Sequence, residues 1–345
     1  MRHAFPSLVC CPPSLYVNIN FADCLRWIGE LGKVCVAIFL FCSGYGLSAQ
    51  YGMSSTFDTR FSIKLVVKRL LKFYVNYWAV FIVFVPITIL VFNRPLSVPY
   101  GENVNFVKRF VFDIFGIQGF HSYNVTWWFN LLIIIFYLLS PLFYLFVKHG
   151  KVLAFVFGVL LLRFKNVIPG DFIDIYVWQL PFLMGMLWQN GEKNLQRVSS
   201  WLYRHRLWFS LLSVLLVMML VCVRMFPILR FWGGTHVDAF LACSISFLVI
   251  STIRNLPRLS KVLAFFGKHS MNIYLIHAFV CWYWHPQWLY SSIWMSNGVN
   301  FAVLLGICLA MSMLLELIKE KGCVYLLLKK VLGQIDSYDS VRIKP

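Results

Sequence analysis

Residues Leu31–Lys72 read LGKVCVAIFLFCSGYGLSAQYGMSSTFDTRFSIKLVVKRLLK. An apolar run of about twenty residues, long enough to cross a hydrocarbon core as a helix, passes through Ser43-Gly44-Tyr45-Gly46. It then empties into a segment carrying Arg60, Lys64, Lys68, Arg69 and Lys72 against a single acid, Asp58. A membrane-length helix that opens directly onto a cationic segment sets the reading of the whole chain.

Composition extends that reading outward. Of 345 residues, 60% are hydrophobic and 13% are charged, where a soluble domain keeps about a quarter charged. The apolar segments run for roughly twenty residues instead of alternating over about ten, so they are helices and not barrel strands. The expected fold is an all-α polytopic membrane protein. The 13 Trp and 16 Tyr suit interfacial belts.

Nine spans are predicted, at 31–50, 74–93, 127–147, 152–168, 172–188, 207–226, 237–253, 262–282 and 299–318. The fourth is interrupted by Arg163 and Lys165. Alternate connections then divide the cations unequally. The set 51–73, 148–151, 189–206, 254–261 and 319 onward holds 20 Lys and Arg, against 9 in the other set. By the positive-inside rule the first set is cytoplasmic and the C-terminus lies inside. That parity puts residues 1–30 outside with no helix before them. The expectation is therefore a tenth, N-terminal span that is missing or truncated here. Residues 1–320 are expected to form one integral-membrane domain, with 321–345 a short basic cytosolic tail.

The net charge of +18 is the orientation signal of such a protein and implies no nucleic-acid partner. The ten Cys show no CxxC pair and no Cys/His ligand spacing, so no metal site is expected. Segment 94–126, the longest outer connection, carries Glu102, Asp113 and His121 and leads into Thr126-Trp127-Trp128-Phe129. It reads either as an acceptor platform or as a solvated connection with an aromatic belt.

Three features carry candidate chemistry. Lys64, Lys68 and Lys72 are spaced four apart and would share a helical face, offering donors to a polyphosphate. A positive-inside loop that meets only lipid headgroups has the same composition. Gly44 and Gly46 allow either a helix break lining a cavity or close helix packing. His277 lies mid-span and His269 near its inner end, each a base or a hydrogen-bonded structural group. His3 stands beside Arg2, whose charge disfavours the imidazolium and leaves a ring able to accept a proton.

Ser43-Gly44-Tyr45-Gly46, Lys68-Arg69-Leu70-Leu71-Lys72-Phe73-Tyr74, Trp127-Trp128-Phe129 and Gly267-Lys268-His269-Ser270-Met271-Asn272-Ile273-Tyr274-Leu275-Ile276-His277 occur in an order that resembles membrane-bound acyltransferase family 3. Members of that family O-acylate cell-surface glycans, lipopolysaccharide, peptidoglycan or antibiotics. The resemblance implies a ten-helix bundle that moves an acyl group, acetyl being expected here, from cytosolic acyl-CoA to a hydroxyl of a surface or exported polysaccharide or glycolipid. Acetyl-CoA is then a donor substrate, not a resident cofactor, and the protein sits multi-pass in the plasma (inner) membrane. The family's RxxR-like motif falls on Arg69-Leu70-Leu71-Lys72, with Lys in place of the second Arg. This keeps the charge and loses the bidentate fork.

His3 in Arg2-His3-Ala4-Phe5-Pro6 resembles the family's catalytic His, whose basic partner eleven residues earlier is absent from this sequence. The implied site is His3 as catalytic base and Arg60, Lys68, Arg69 and Lys72 on the donor, supported by Ser43, Gly44, Tyr45, Ser270, Tyr274 and His277. The rival readings are a transporter or flippase of glycan precursors, and an inactive, truncated family member.

Overall fold

The computed structural model describes residues 19–53, 58–101, 105–162, 175–204, 206–225, 234–253, 256–284 and 297–337. Among these there is helix and no strand. Four helices are long and apolar enough to cross a membrane, over Val34–Tyr51, Thr59–Leu90, Val125–His149 and Val299–Lys321. Shorter apolar helices cover Lys151–Leu161, Leu211–Arg224 and Val237–Val249. The chain is an all-α, multi-pass membrane protein.

In chain order the helices are α1 (Ile19–Tyr51), α2 (Thr59–Leu90), α3 (Ser97–Tyr100), α4 (Phe106–Ile114), α5 (Trp128–His149) and α6 (Lys151–Leu161). They continue as α7 (Ile175–Arg204), α8 (Arg206–Met225), α9 (Gly234–Ile253), α10 (Pro257–Ala278), α11 (Asn297–Lys321) and α12 (Val324–Ser337). Each of the nine expected spans overlaps one of these helices; residues 163–168 of the fourth, 172–174 of the fifth and 226 of the sixth lie outside the described residues. Several expected connections are helical instead. Segment 1–30 is helical from Ile19, segment 189–206 through Arg204 and again from Arg206, and segment 254–261 from Pro257. Segment 51–73 is helical from Thr59 onward, so its cations sit on α2. Segment 94–126 contains α3, α4 and two single-turn helices, at Gly119–His121 and Val125–Trp127. Much of the expected tail 321–345 is α12.

Pro86 inside α2 cannot donate to the carbonyl four residues back. Just beyond it Thr88 Oγ1 bonds back to the Phe84 carbonyl at 2.7 Å. Such a hydroxyl competes with the helix ladder for that carbonyl. The helix stops at Leu90, and Asn93 takes a left-handed conformation (φ 51°) that redirects the chain. At the far end of α10 the chain widens into a π-turn over Phe279–Tyr283, closed by the Trp284 amide on the Phe279 carbonyl at 2.9 Å. Such a turn inserts one extra residue and re-aims the side chains that follow.

The chain forms two compact units. The first comprises residues 1–58 and 138–261, the second 59–137 and 262–345. In the first unit α1 lies against α7 at backbone distance. A Cβ added to Gly44 would overlap the Phe182 carbonyl, and one added to Gly185 would overlap that of Phe41. Small residues at such crossings gain dispersion contacts that lipid cannot match. Ser48 Oγ adds hydrogen bonds to Gln189 Oε1 at 2.9 Å and to the Met186 carbonyl at 3.3 Å. Farther along, Arg224 on α8 pairs with Asp238 on α9 at 2.7 Å, both buried. The core of the second unit is aromatic. Trp127 is fully buried and packs its ring against Tyr77, Phe81 and Phe279 at centroid distances of 5.0, 5.7 and 5.7 Å.

Candidate functional site

The second unit holds most of the residues singled out by sequence. Because α2 begins at Thr59, Arg60, Lys64, Lys68 and Lys72 stand at four-residue intervals along its first four turns. Twelve residues of helix rise about 18 Å, so the four form one cationic stripe of that length, with Arg69 beside Lys72. Arg60 and Lys72 are exposed and the other three half-buried. One local rule opposes this arrangement: like charges four apart destabilise a helix by about 0.2–0.5 kcal/mol per pair. Asp58, the acid nearest the stripe in the sequence, immediately precedes the helix. What the stripe can do chemically is gather negatively charged oxygens.

The Trp127-Trp128-Phe129 and Ile273–His277 motifs, about 150 residues apart, meet in this unit. Leu275 offers its carbonyl to both Trp127 Nε1, at 3.0 Å, and Asn124 Nδ2, at 3.2 Å. Tyr274 returns the contact by donating its hydroxyl to the Thr126 carbonyl. The rings of Tyr274 and Phe129 meet edge to face at 5.4 Å. The Val125 amide donates to the Tyr283 hydroxyl at 3.0 Å. The Leu275 and Thr126 carbonyls thus accept bonds from across the helices. Each such bond fixes α10 against the start of α5.

His277 projects one turn beyond that clamp. Its Nδ1 lies 2.7 Å from the Tyr274 carbonyl. A carbonyl only accepts, so Nδ1 carries the proton and the lone pair of the neutral ring is on Nε2. This is the tautomer a general base needs. Ser270, by contrast, turns back to its own helix and donates to the Gly267 carbonyl at 2.8 Å.

Beside the middle of α2, just beyond the stripe, Asp113 organises segment 94–126. The residue is fully buried. Its Oδ2 accepts from the Tyr100 hydroxyl and from the Tyr123 amide, each at 2.5 Å. Its main-chain carbonyl accepts from the Tyr77 hydroxyl. Burial lifts the Asp113 carboxyl to about 6, against donors that pull it down. Burial, with the Asp113 charge adding to it, also pushes the Tyr100 phenol far above its usual range. Arg94 closes the assembly. Its guanidinium lies 3.5 Å from the Tyr283 ring centroid and 4.6 Å from that of Tyr123, and donates to the Tyr123 carbonyl at 2.9 Å. Segment 94–126 is therefore a built structure bound around one carboxylate, where sequence left a solvated connection open as the alternative.

Near the stripe a second buried polar cluster joins α10, α11 and α2. His269 Nδ1 meets Ser312 Oγ at 2.8 Å, and Asn272 Nδ2 donates to Ser312 Oγ at 3.1 Å and Glu316 Oε1 at 2.7 Å. Glu316 is ion-paired with Lys319. His269 is thus buried and hydrogen-bonded to Ser312. Sequence reasoning missed Asn272, Glu316 and Lys319. The available signal was the Glu316/Lys319 pair, three apart at the end of an apolar run.

Ser43, Gly44 and Tyr45 lie on α1 in the first unit, where Gly44 serves the close crossing with α7. His3 lies outside the described residues. Among the described residues no group of three or more His, Cys, Asp or Glu side chains is arranged to hold a metal ion.

A family model described as an acyltransferase domain matches residues 12–317. The stripe, both clamped motifs and the Asp113 assembly fall within that stretch, and His3 precedes it. No curated protein matches the chain, and no solved structure does. A match over most of the chain establishes kinship: the protein belongs to the acyltransferase 3 family and is a membrane acyltransferase.

Proposed function

We propose that the protein transfers an acyl group, acetyl in the first instance, from acyl-CoA to a hydroxyl of a surface or exported polysaccharide or glycolipid. The observation that carries the donor assignment is the cationic stripe. Its charges, spread over about 18 Å of helix, match a ligand with several phosphate oxygens. Arg69 offers a bidentate fork, and Lys68, Lys72 and Arg60 supply further charge. The stripe faces the cytosol, where acyl-CoA is found, and the C-terminus lies on the same side of the plasma membrane.

In the reaction the acceptor hydroxyl oxygen attacks the thioester carbonyl. The new C–O bond forms as the C–S bond breaks. The proton removed from the hydroxyl passes through a base to the departing thiolate, which leaves as the thiol of coenzyme A. The resemblance of residues 2–6 to the family motif makes His3 that base, with His277 and Tyr274 supporting the site. A second reading rests on the geometry of His277: with Nδ1 held by the Tyr274 carbonyl, Nε2 is the nitrogen that takes the proton. Excluding water from this part of the bilayer protects the thioester from hydrolysis.

The test is labelled acetyl-CoA added to membranes that contain the protein. Label should move into glycan, saturate with donor, and fail to move in the variant lacking the base. Loss in His3→Ala with retention in His277→Gln supports the first assignment, and the reverse supports the second. Export of unlabelled glycan with no acyl transfer would identify a transporter and overturn the proposal.

A further inference from the structure

Asn76 on α2 faces two ways. Its Nδ2 donates to the carbonyl of Lys72, the last cation of the stripe, at 3.1 Å. Its Oδ1 accepts from Lys319 Nζ on α11 at 2.7 Å. Lys319 is 1% exposed, an unusual state for an ammonium. It is held there by Glu316, and Glu316 in turn accepts from Asn272 on α10 and from the Tyr325 hydroxyl on α12. The Lys319 ammonium also sits 5.5 Å from the Tyr325 ring centroid. An unbroken chain of partners therefore runs from the C-terminal helix, through a buried ion pair, to the turn of α2 that bears Arg69 and Lys72.

We infer that Lys319, Asn76 and Tyr325 are positioning residues for the acyl donor, and that α12 is a working part of the donor half of the protein. A buried ion pair adds little net stability compared with apolar residues of similar size, so stability alone is a poor reason for one here. What a closed network supplies is a single geometry. The stripe needs it. Like charges at four-residue spacing repel one another along this helix, so the turn carrying Arg69 and Lys72 gains from a fixed partner. Tying the Lys72 carbonyl through Asn76 to a fixed ammonium on α11 holds that turn in place. Tyr325 completes the arrangement by occupying the Glu316 oxygen not used by Lys319 and Asn272. The inference rests on the stripe being the donor site, as proposed above.

Three variants of the full-length protein test it: Asn76→Asp, which keeps an acceptor for Lys319 and loses the donor to the Lys72 carbonyl; Tyr325→Phe; and Lys319→Met. Two measurements are made on each, the KM and kcat for acetyl-CoA and amide hydrogen exchange across residues 68–76. Expected are a five- to tenfold rise in KM for acetyl-CoA, kcat within twofold of the parent, and faster exchange confined to that turn. Tyr325→Phe removes one hydrogen bond and adds no charge, and Asn76→Asp exchanges one for a charge beside Lys72, so both report even where Lys319→Met fails to fold. An unchanged KM in both, or an equal loss of kcat, overturns the inference. If the parent protein does not saturate with acetyl-CoA, the donor assignment falls. Exchange then decides the positioning on its own: faster exchange at 68–76 supports it, and parental exchange in all variants overturns it.

Discussion

Asp113 accepts the backbone amide of Tyr123 at 2.5 Å through Oδ2, and the oxygen that takes this amide also takes the Tyr100 hydroxyl. One buried carboxylate thereby joins α4 to the approach of α5. Its folded value of about 6 lies above the ordinary carboxylate value of 3.8. Between these two values the folded protein binds the proton more tightly than the unfolded chain. Stability therefore falls as pH rises through that window and levels off above it. Melting measured in detergent from pH 3.5 to 7 should show this slope. Asp113→Asn keeps an acceptor oxygen for Tyr100 and Tyr123, and should flatten the profile with the fold retained. Asp113→Leu leaves both donors buried and unpaired, at about 1–3 kcal/mol each, and should melt markedly earlier at every pH.

The Arg224–Asp238 pair in the first unit gives a larger effect. Both side chains are buried, with Nε and Nη2 of the arginine at 2.7 and 3.5 Å from the two carboxylate oxygens. Removing one member strands the other charge, so Asp238→Ala should cost about 3–5 kcal/mol. Replacing both by Leu and Met should recover much of that loss. A thermal melt of the single and double variants checks this, and a double variant no better than the single would show that the pair contributes through some other contact.

The spans were legible because membrane insertion leaves its mark on composition, one segment at a time. All nine expected spans overlap helices for that reason, four of them helices of full membrane length among the described residues. The start of α2 was not, because the positive-inside signal counts cations and is silent on whether they stand in a loop or on a helix. The face shared by Lys64, Lys68 and Lys72 was read from their spacing, and the onset at Thr59 adds Arg60 to it. The Asp113 assembly was invisible for a different reason. Its partners Tyr77, Tyr100 and Tyr123 come from α2, from α3 and from the approach to α5, and nothing local marks a tyrosine as a donor to a buried acid. The clamp between Thr126 and Tyr274 was visible as two motifs and not as one contact. Lys319 was counted among tail charges because its partner Asn76 lies 243 residues away.

The Gly44–Gly185 crossing predicts intolerance to the smallest possible change. A methyl at either position meets a backbone carbonyl, which cannot swing aside as a side chain would. Gly44→Ala and Gly185→Ala should each destabilise the first unit by about 1–3 kcal/mol. Gly191→Ala on α7, where an added methyl meets nothing within 4 Å, is the matched control and should be neutral or slightly stabilising. Melting temperatures in detergent separate the two outcomes, and equal behaviour at all three positions would show that α1 and α7 do not cross this closely.

The stripe yields the prediction that best separates function from stability. Lys68 stands three turns into α2, flanked at four residues on either side by Lys64 and Lys72. In Lys68→Glu two like-charge pairs become attractive ones, each worth about 0.2–0.5 kcal/mol in an isolated helix. A purely structural role for the cations therefore predicts a protein as stable as the parent or slightly more so, with activity preserved. A donor site predicts the same stability together with a large functional loss. Deleting one charge-assisted contact costs about 1.5–3 kcal/mol, so KM for the acyl donor should rise at least about tenfold, and more with the charge reversed. Raising the salt concentration should weaken donor binding by the parent enzyme and affect the variant less, since salt screens charges that solvent reaches and the variant has one attractive charge fewer. Lys72→Arg carries the complementary test. Restoring the fork at that position should lower KM, and a neutral result would show that Lys72 contributes charge alone.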